Sequence, residues 1–184
     1  MIFLYKRFVK NILLFFLPLV LVAKVDETLK RYVKIGSLQS HFSAYGSERA
    51  WNNTYYEGLI WPADYLYQDN SVIKRSWIAC KDFNDSDGYD WGHYGLYFVL
   101  SDAGNSLFPM ELYQIAKFMP PSVYVDGIDL NSFYNAEIDS VNSEIVSDRI
   151  IVNTVNTSMG LTMERRVYAF SQEYHDNYFI KVFT

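Results

Sequence analysis

Cysteine is almost absent from these 184 residues: Cys80 stands alone, so no internal disulfide forms and no cysteine cluster holds zinc or an iron–sulfur centre. The fold must therefore rest on packing, which a chain of this length supplies without covalent staples. Within Trp77-Ile78-Ala79-Cys80 the thiol reads as a buried strand residue and not as a nucleophile. Basic charge is scarce too. Residues 1–23 carry Lys6, Arg7 and Lys10 and no acid, which leaves 13 of the 16 Lys and Arg against all 21 Asp and Glu, a net charge of −8. Such a balance repels phosphate backbones and anionic lipid, and no basic run interrupts it; nucleic acid is not an expected partner.

Signatures of catalysis are missing as well. His41, His93 and His175 lie far apart in sequence and none stands in HExxH or another metal-ligand spacing. His175-Asp176 has the makings of an oriented base, but no serine sits in a GxSxG elbow for it to serve, and no Gly-rich phosphate loop occurs. Internal repeats, low-complexity tracts and linkers are absent, so nothing divides residues 24–184 into more than one domain.

Aromatic residues, by contrast, make up 18% of the chain, with 16 Tyr and 13 Phe, and these favour pleated, half-buried surfaces. The N-terminus reads as an export signal: a basic n-region, then an apolar core from Ile12 to Val22, then Leu21 and Ala23 at the −3 and −1 positions of a cleavage site. The core is shorter than the roughly 20 residues a membrane span wants, so no stable span is expected after cleavage, an uncleaved anchor being the alternative. Residues 1–23 are thus expected to be a signal peptide and residues 24–184 one β-rich domain, secreted or displayed on the cell surface.

Lys24 to Ser40 suits a short helix or a first strand equally well, and His41 to Asn70, dense in Trp, Tyr, Gly, Asn and Pro, reads as ordered loop with short strands. Ser71 to Phe83 and His93 to Ser101 predict an antiparallel pair joined through the turn formers Asn84 to Gly88. Glu111 to Phe118 is a further candidate strand, and Pro120-Pro121 breaks the chain before Val123. Asp126 to Asp148 reads as an excursion or short helix. Arg149 to Val155, Leu161 to Phe170 and Tyr178 to Phe183 predict three strands, the first two joined at Asn156 to Gly160. The last stretch stops within a strand pattern, so a longer parent polypeptide is expected, its remainder being the first partner. The fold expected is mainly β, an antiparallel sandwich-like domain with long irregular loops.

Three groups of residues are candidates for chemistry. Trp51, Trp61 and Tyr65, with Tyr55, Tyr56 and Tyr67 nearby, have the rings to stack on an extracellular glycan, and Glu57 or Asp64 the carboxylate for an acid or base, with Glu111 a third carboxylate among aromatics. The bland alternative for these rings is a core. Asp85, Asp87 and Asp90 on a Gly-kinked loop are candidate ligands for a structural calcium. The loop fails the EF-hand spacing, since Phe83 and Tyr94 fall where Asp and Glu are required, and a turn using Asp, Asn and Gly for their backbone preferences is the competing reading. Asn52, Asn84 and Asn156 open N-x-S/T sequons, which matter only in a cell that glycosylates.

Long phrases of the chain carry a family likeness: Ile35 to Tyr65, Ser71 to Phe83, Ser106 to Phe118 and Asn156 to Lys181. The sequence resembles the N-terminal region of large, mostly uncharacterised secreted proteins of marine bacteria. In these a signal peptide comes first, a long β-rich body follows, and a C-terminal type IX secretion sorting domain often ends the chain. The resemblance implies a secreted or surface location and supplies no catalytic residue. The function expected is a non-catalytic structural or interaction module, the alternative being a polysaccharide-binding or glycan-hydrolysing one.

Overall fold

The computed structural model describes residues 25–26, 28–48, 59–63, 76–98, 106–122, 124–129 and 137–184. The expected signal peptide lies outside them. Every regular element among the described residues is a strand, so the protein is mainly β as its composition predicts.

The centre is a five-stranded sheet of β5 (Leu107–Ala116), β8 (Ser140–Val141), β9 (Arg149–Thr157), β10 (Thr162–Ala169) and β11 (Phe179–Phe183), in the order β11-β10-β9-β5-β8. All neighbours are antiparallel except β8, which runs parallel to β5. Alternation sets its faces. Along β10 Met163, Arg165, Val167 and Ala169 are buried while the residues between them are partly or fully exposed, the period of two expected of a sheet covered on one side.

The cover on that side begins with the hairpin of β1 (Lys30–Ile35) and β2 (Leu38–Ser43). Val33, Phe42 and Ala44 from this region pack on Leu112, Ile151, Val167 and Ala169 of the sheet. Its tight turn is Gly36-Ser37, with Gly36 at φ +58°, the left-handed conformation a primed hairpin turn needs at that position. A Cβ on Gly36 would also lie 2.3 Å from Asp176 Cβ, so the turn is docked as well as bent. From Lys30 to Ser40 the ambiguity between helix and strand is thus resolved as the two strands and their turn.

β3 (Trp77–Asn84) and β4 (Asp90–Tyr97) form a separate two-stranded ribbon, the antiparallel pair read from the sequence. Only its root is buried. Phe98 and, partly, Ile78 pack with Tyr45, Leu107, Val155 and Met163. Cys80, expected in a core, is half-buried on this ribbon, where β3 alternates between exposed and half-buried residues over most of its length.

Two further readings are refined. β5 starts at Leu107, four residues before the expected Glu111, and includes Pro109 at a register irregularity between Pro109 and Glu111, where the missing N–H costs no ladder bond. Asp126-Gly127, read as the opening of an excursion, is the turn of a small hairpin between β6 (Tyr124–Val125) and β7 (Ile128–Asp129). Both turn residues have positive φ, +51° and +80°, which Asp-Gly tolerates at that pair of positions.

Candidate functional site

The ribbon β3–β4 presents the densest set of exposed rings among the described residues. Register sets Trp77 opposite Tyr97 and Phe83 opposite Trp91. At its root the Trp77 and Tyr97 rings lie 4.9 Å apart. Toward its tip four rings form a chain: Phe83 stacks on Tyr94 at 4.9 Å, Tyr94 meets Trp91 at 5.6 Å, and Trp91 meets Tyr89 edge-on at 4.8 Å. Tyr89 is 61% exposed and Trp91 40%. Such pairs add roughly 0.5–1.5 kcal/mol each beyond area burial, enough to order a ribbon that has no core of its own.

The acidic loop at the tip explains how these rings are held. Asp85 accepts the backbone N–H of Asp87 at 3.0 Å and of Tyr89 at 2.9 Å on one oxygen, and the Trp91 indole N–H at 2.9 Å on the other. The Trp91 bond, then that from Tyr89, holds the Asp85 carboxyl below its ordinary range. Gly88 closes the turn at φ +80°, its N–H donating to the Asp85 carbonyl. Asp85 is thus an organiser of the turn and of an aromatic ring. Of the other candidate calcium ligands, Asp87 is exposed and Asp90 starts β4 opposite Asn84. Among the described residues no three His, Cys, Asp or Glu side chains are grouped to hold a metal ion.

Of the expected glycan platform, Trp61 is described, and Trp51, Glu57, Asp64 and Tyr65 lie outside the described residues. Trp61 is 49% exposed, and its indole N–H donates to Asn177 Oδ1 at 3.0 Å. Asn177 also accepts from the Ser37 hydroxyl, so the loop before β11 fixes Trp61 to the β1–β2 turn. His175 contacts the Tyr178 hydroxyl through Nδ1 and packs near Phe170, with its companion Asp176 under the same turn. No nucleophile is presented to it among the described residues.

Two carboxylates that the sequence did not single out have environments that push them in opposite directions. Burial raises the pKa of Glu137, although the Tyr32 N–H bonded to it at 2.7 Å works the other way. Asp139 is also partly desolvated, yet the paired bonds from Arg31 Nε and Nη2, at 2.7 and 2.6 Å, and one from the Gln114 N–H bring its pKa down. Opposed shifts are a mark of acid–base pairs. Here the partners are structural: the Asp139 carboxylate ties β1 to β5 through Arg31 and the Gln114 N–H, and the Glu137 carboxylate takes the Tyr32 N–H of β1.

No protein-family model, curated protein or solved structure matches this chain. Its candidate site therefore stands on geometry: a projecting ribbon, rings ordered by one another, and an indole aimed by a carboxylate. Sequence reading placed the aromatic candidates at Trp51 to Tyr67 and passed over Tyr89, Trp91 and Tyr94. The signal was present in Tyr89-Asp90-Trp91, an aromatic cluster in the loop considered only for its acids.

Proposed function

We propose that the chain is a non-catalytic interaction module of a secreted or cell-surface protein, and that it binds through the distal rings of the β3–β4 ribbon. The observation that carries this reading is the exposure of Tyr89 and Trp91 on a ribbon whose ring geometry is already fixed by Asp85. Rigid aromatic side chains give a partner large contact area at small entropic cost, and preorganisation keeps that cost from being charged at binding. Export is supported by the basic n-region and apolar core of residues 1–23, and a parent polypeptide with a type IX sorting domain by the family resemblance.

A second reading, binding of an extracellular glycan, is favoured by a specific feature: the Trp61 and Trp91 indoles each have the N–H engaged and the ring exposed, as stacking on a sugar requires. One experiment addresses both. A photo-crosslinking residue at Tyr89 on intact secreting cells is expected to give a discrete protein adduct that disappears in Trp91→Ala. Glycan-array binding lost in the same variant selects the second reading, and silence in both assays removes this surface as a binding site. N-terminal sequencing of protein from the medium is expected to start at Lys24.

A further inference from the structure

The cover of the five-stranded sheet, the hairpin β1–β2, packs on the face of Leu112, Ile151 and Val167. The alternate residues of the same strands make the second face, and register orders them in rows. Val182, Arg166, Val152 and Tyr113 stand side by side across β11, β10, β9 and β5. Ile180, Tyr168, Ile150 and Ile115 form the next row. Tyr113 feels the charges of Glu111, Arg166 and Glu164, as groups on one face do. A sheet face turned to water is ordinarily polar, but Arg166 is the one charged member of these two rows. Arg166 is exposed, and Tyr113, Ile115 and Tyr168 are half-buried. Arg166 Nε donates to Glu164 Oε1 at 2.6 Å, so the guanidinium carries its own counter-charge.

We propose that this face is an interface between two copies of this chain, packed sheet on sheet about a two-fold axis that runs across the strands. Between the two rows lies the line of Gln114, Ile151, Val167 and Lys181, in register over four strands. A two-fold axis along that line turns each strand over its own copy in the antiparallel sense and sets one row on the other. Val182 meets Ile180 of the second copy, Val152 meets Ile150, Tyr113 meets Ile115, and the Arg166 guanidinium lies over the Tyr168 ring. The sheets are then about 10 Å apart and within roughly 30° of alignment, the ordinary geometry of a sandwich.

The charges commit the occupant to a second copy. Glu111 and Lys117 stand three residues to either side of Gln114, and the Lys117 N–H donates to the Asp148 carbonyl, so the ladder runs one residue past β5. Alternation puts both side chains on the second face, at equal distances from the axis. The rotation therefore brings Glu111 of each copy against Lys117 of the other, at two symmetric places. Neither forms an ion pair among the described residues. An axis along the strands would instead keep the rows level and lay the acidic row of Glu111, Thr154 and Glu164 on itself. Tyr89, Trp91 and the distal rings take no part, so this interface stands or falls separately from the function proposed above.

The test measures mass in solution by sedimentation velocity over a concentration series. The protein as purified is expected to be a dimer at about 100 µM and to dissociate on dilution. Glu111→Lys and Lys117→Glu each set like charges together at both places, and each is expected to weaken the dimer at least about tenfold while leaving the melting temperature unchanged. Mixing the two single variants re-creates both opposite-charge pairs and is expected to give a heterodimer of parental affinity. The double variant Glu111→Lys with Lys117→Glu is expected to recover the homodimer. Arg166→Ala is expected to weaken it severalfold. A parent still monomeric at about 1 mM overturns the proposal, whether another segment of the same polypeptide or a different protein covers the face. A dimer indifferent to both single variants lies on another surface and overturns it too. Single variants that dissociate but do not recover on mixing overturn the two-fold pairing.

Discussion

Arg165 is fully buried, and its guanidinium is the hub of the lower core. Nη1 donates to the Gly46 carbonyl at 2.7 Å, Nη2 to Asn153 Oδ1 at 3.0 Å, Glu48 lies 3.8 Å away, and the Phe42 ring is 5.2 Å below. Burial, offset in part by Glu48, pushes the Arg165 pKa down to about 10, so it stays charged at neutral pH. Asn153 completes the unit by donating to the Ala44 and Glu111 carbonyls, each at 3.0 Å. One side chain thus joins β9, β10 and the turn after β2. Removing it leaves the Gly46 carbonyl and Asn153 short of donors and returns no comparable contact. Arg165→Ala is expected to cost about 3–5 kcal/mol, a large share of the roughly 5–15 kcal/mol of a typical domain, read from the midpoint of denaturant unfolding. Arg165→Lys keeps the charge but not the fork, and is expected to recover less than half of that loss.

Pairs of elements are joined by the second ionic group. Asp139, just before β8, receives Arg31 of β1 and the Gln114 N–H of β5, so three segments distant in sequence meet at one carboxylate. Because its pKa is lowered on folding, the stability it contributes is present above the ordinary carboxylate pKa and is lost as pH falls through the lowered one. Glu137 works oppositely: its raised pKa favours folding in acid, and that contribution is lost as pH rises through the raised value. Asp139→Asn is expected to cost about 1–2 kcal/mol at pH 7, with the difference from the parent shrinking below pH 4; pH-resolved unfolding measures it. A difference that is constant with pH would place the effect in packing. Neither carboxylate was legible in the sequence, because Asp126 to Asp148 has no sustained period, and their partners lie far along the chain. What the pattern of residue types could carry agrees with the structure: β10 alternates, β9 is an apolar run buried over most of its length, and the expected bounds of β9, β10 and β11 fall within a few residues of those observed. β1 and β2 were not separable from a helix because their defining feature is a two-residue turn at Gly36, which docks on Asp176, 140 residues later. The aromatic site shows the same division. Its residue types were plain, but ring order depends on the cross-strand register and on a bond from Trp91 to a loop acid, which only the folded ribbon reveals.

At the scale of the molecule, the sheet and its β1–β2 cover hold a continuous core, whereas the β3–β4 ribbon is attached by its root. Phe98 is wholly buried between Tyr45, Leu107, Val155 and Met163, and the Phe98 N–H donates to the Ser76 carbonyl at 3.0 Å, closing the ribbon where it leaves the sheet. Beyond that point the ribbon gains its order from its own rings and from Asp85. Stability should therefore be graded along it. Amides of β9 and β10 are expected to exchange only through global unfolding, those of β3 and β4 near Phe83 and Trp91 through cheaper local opening. Phe98→Ala empties the junction and is expected to cost about 3–5 kcal/mol and to deprotect the ribbon further. Tyr89→Ala and Trp91→Ala remove rings that the sheet never touches, and are expected to change global stability by less than about 1 kcal/mol while abolishing partner binding. That separation is the property the proposed interaction ribbon needs: the surface proposed to bind can vary without risk to the fold. Hydrogen exchange of the three variants side by side checks it, and equal global losses in Phe98→Ala and Trp91→Ala would instead make the distal rings part of the core.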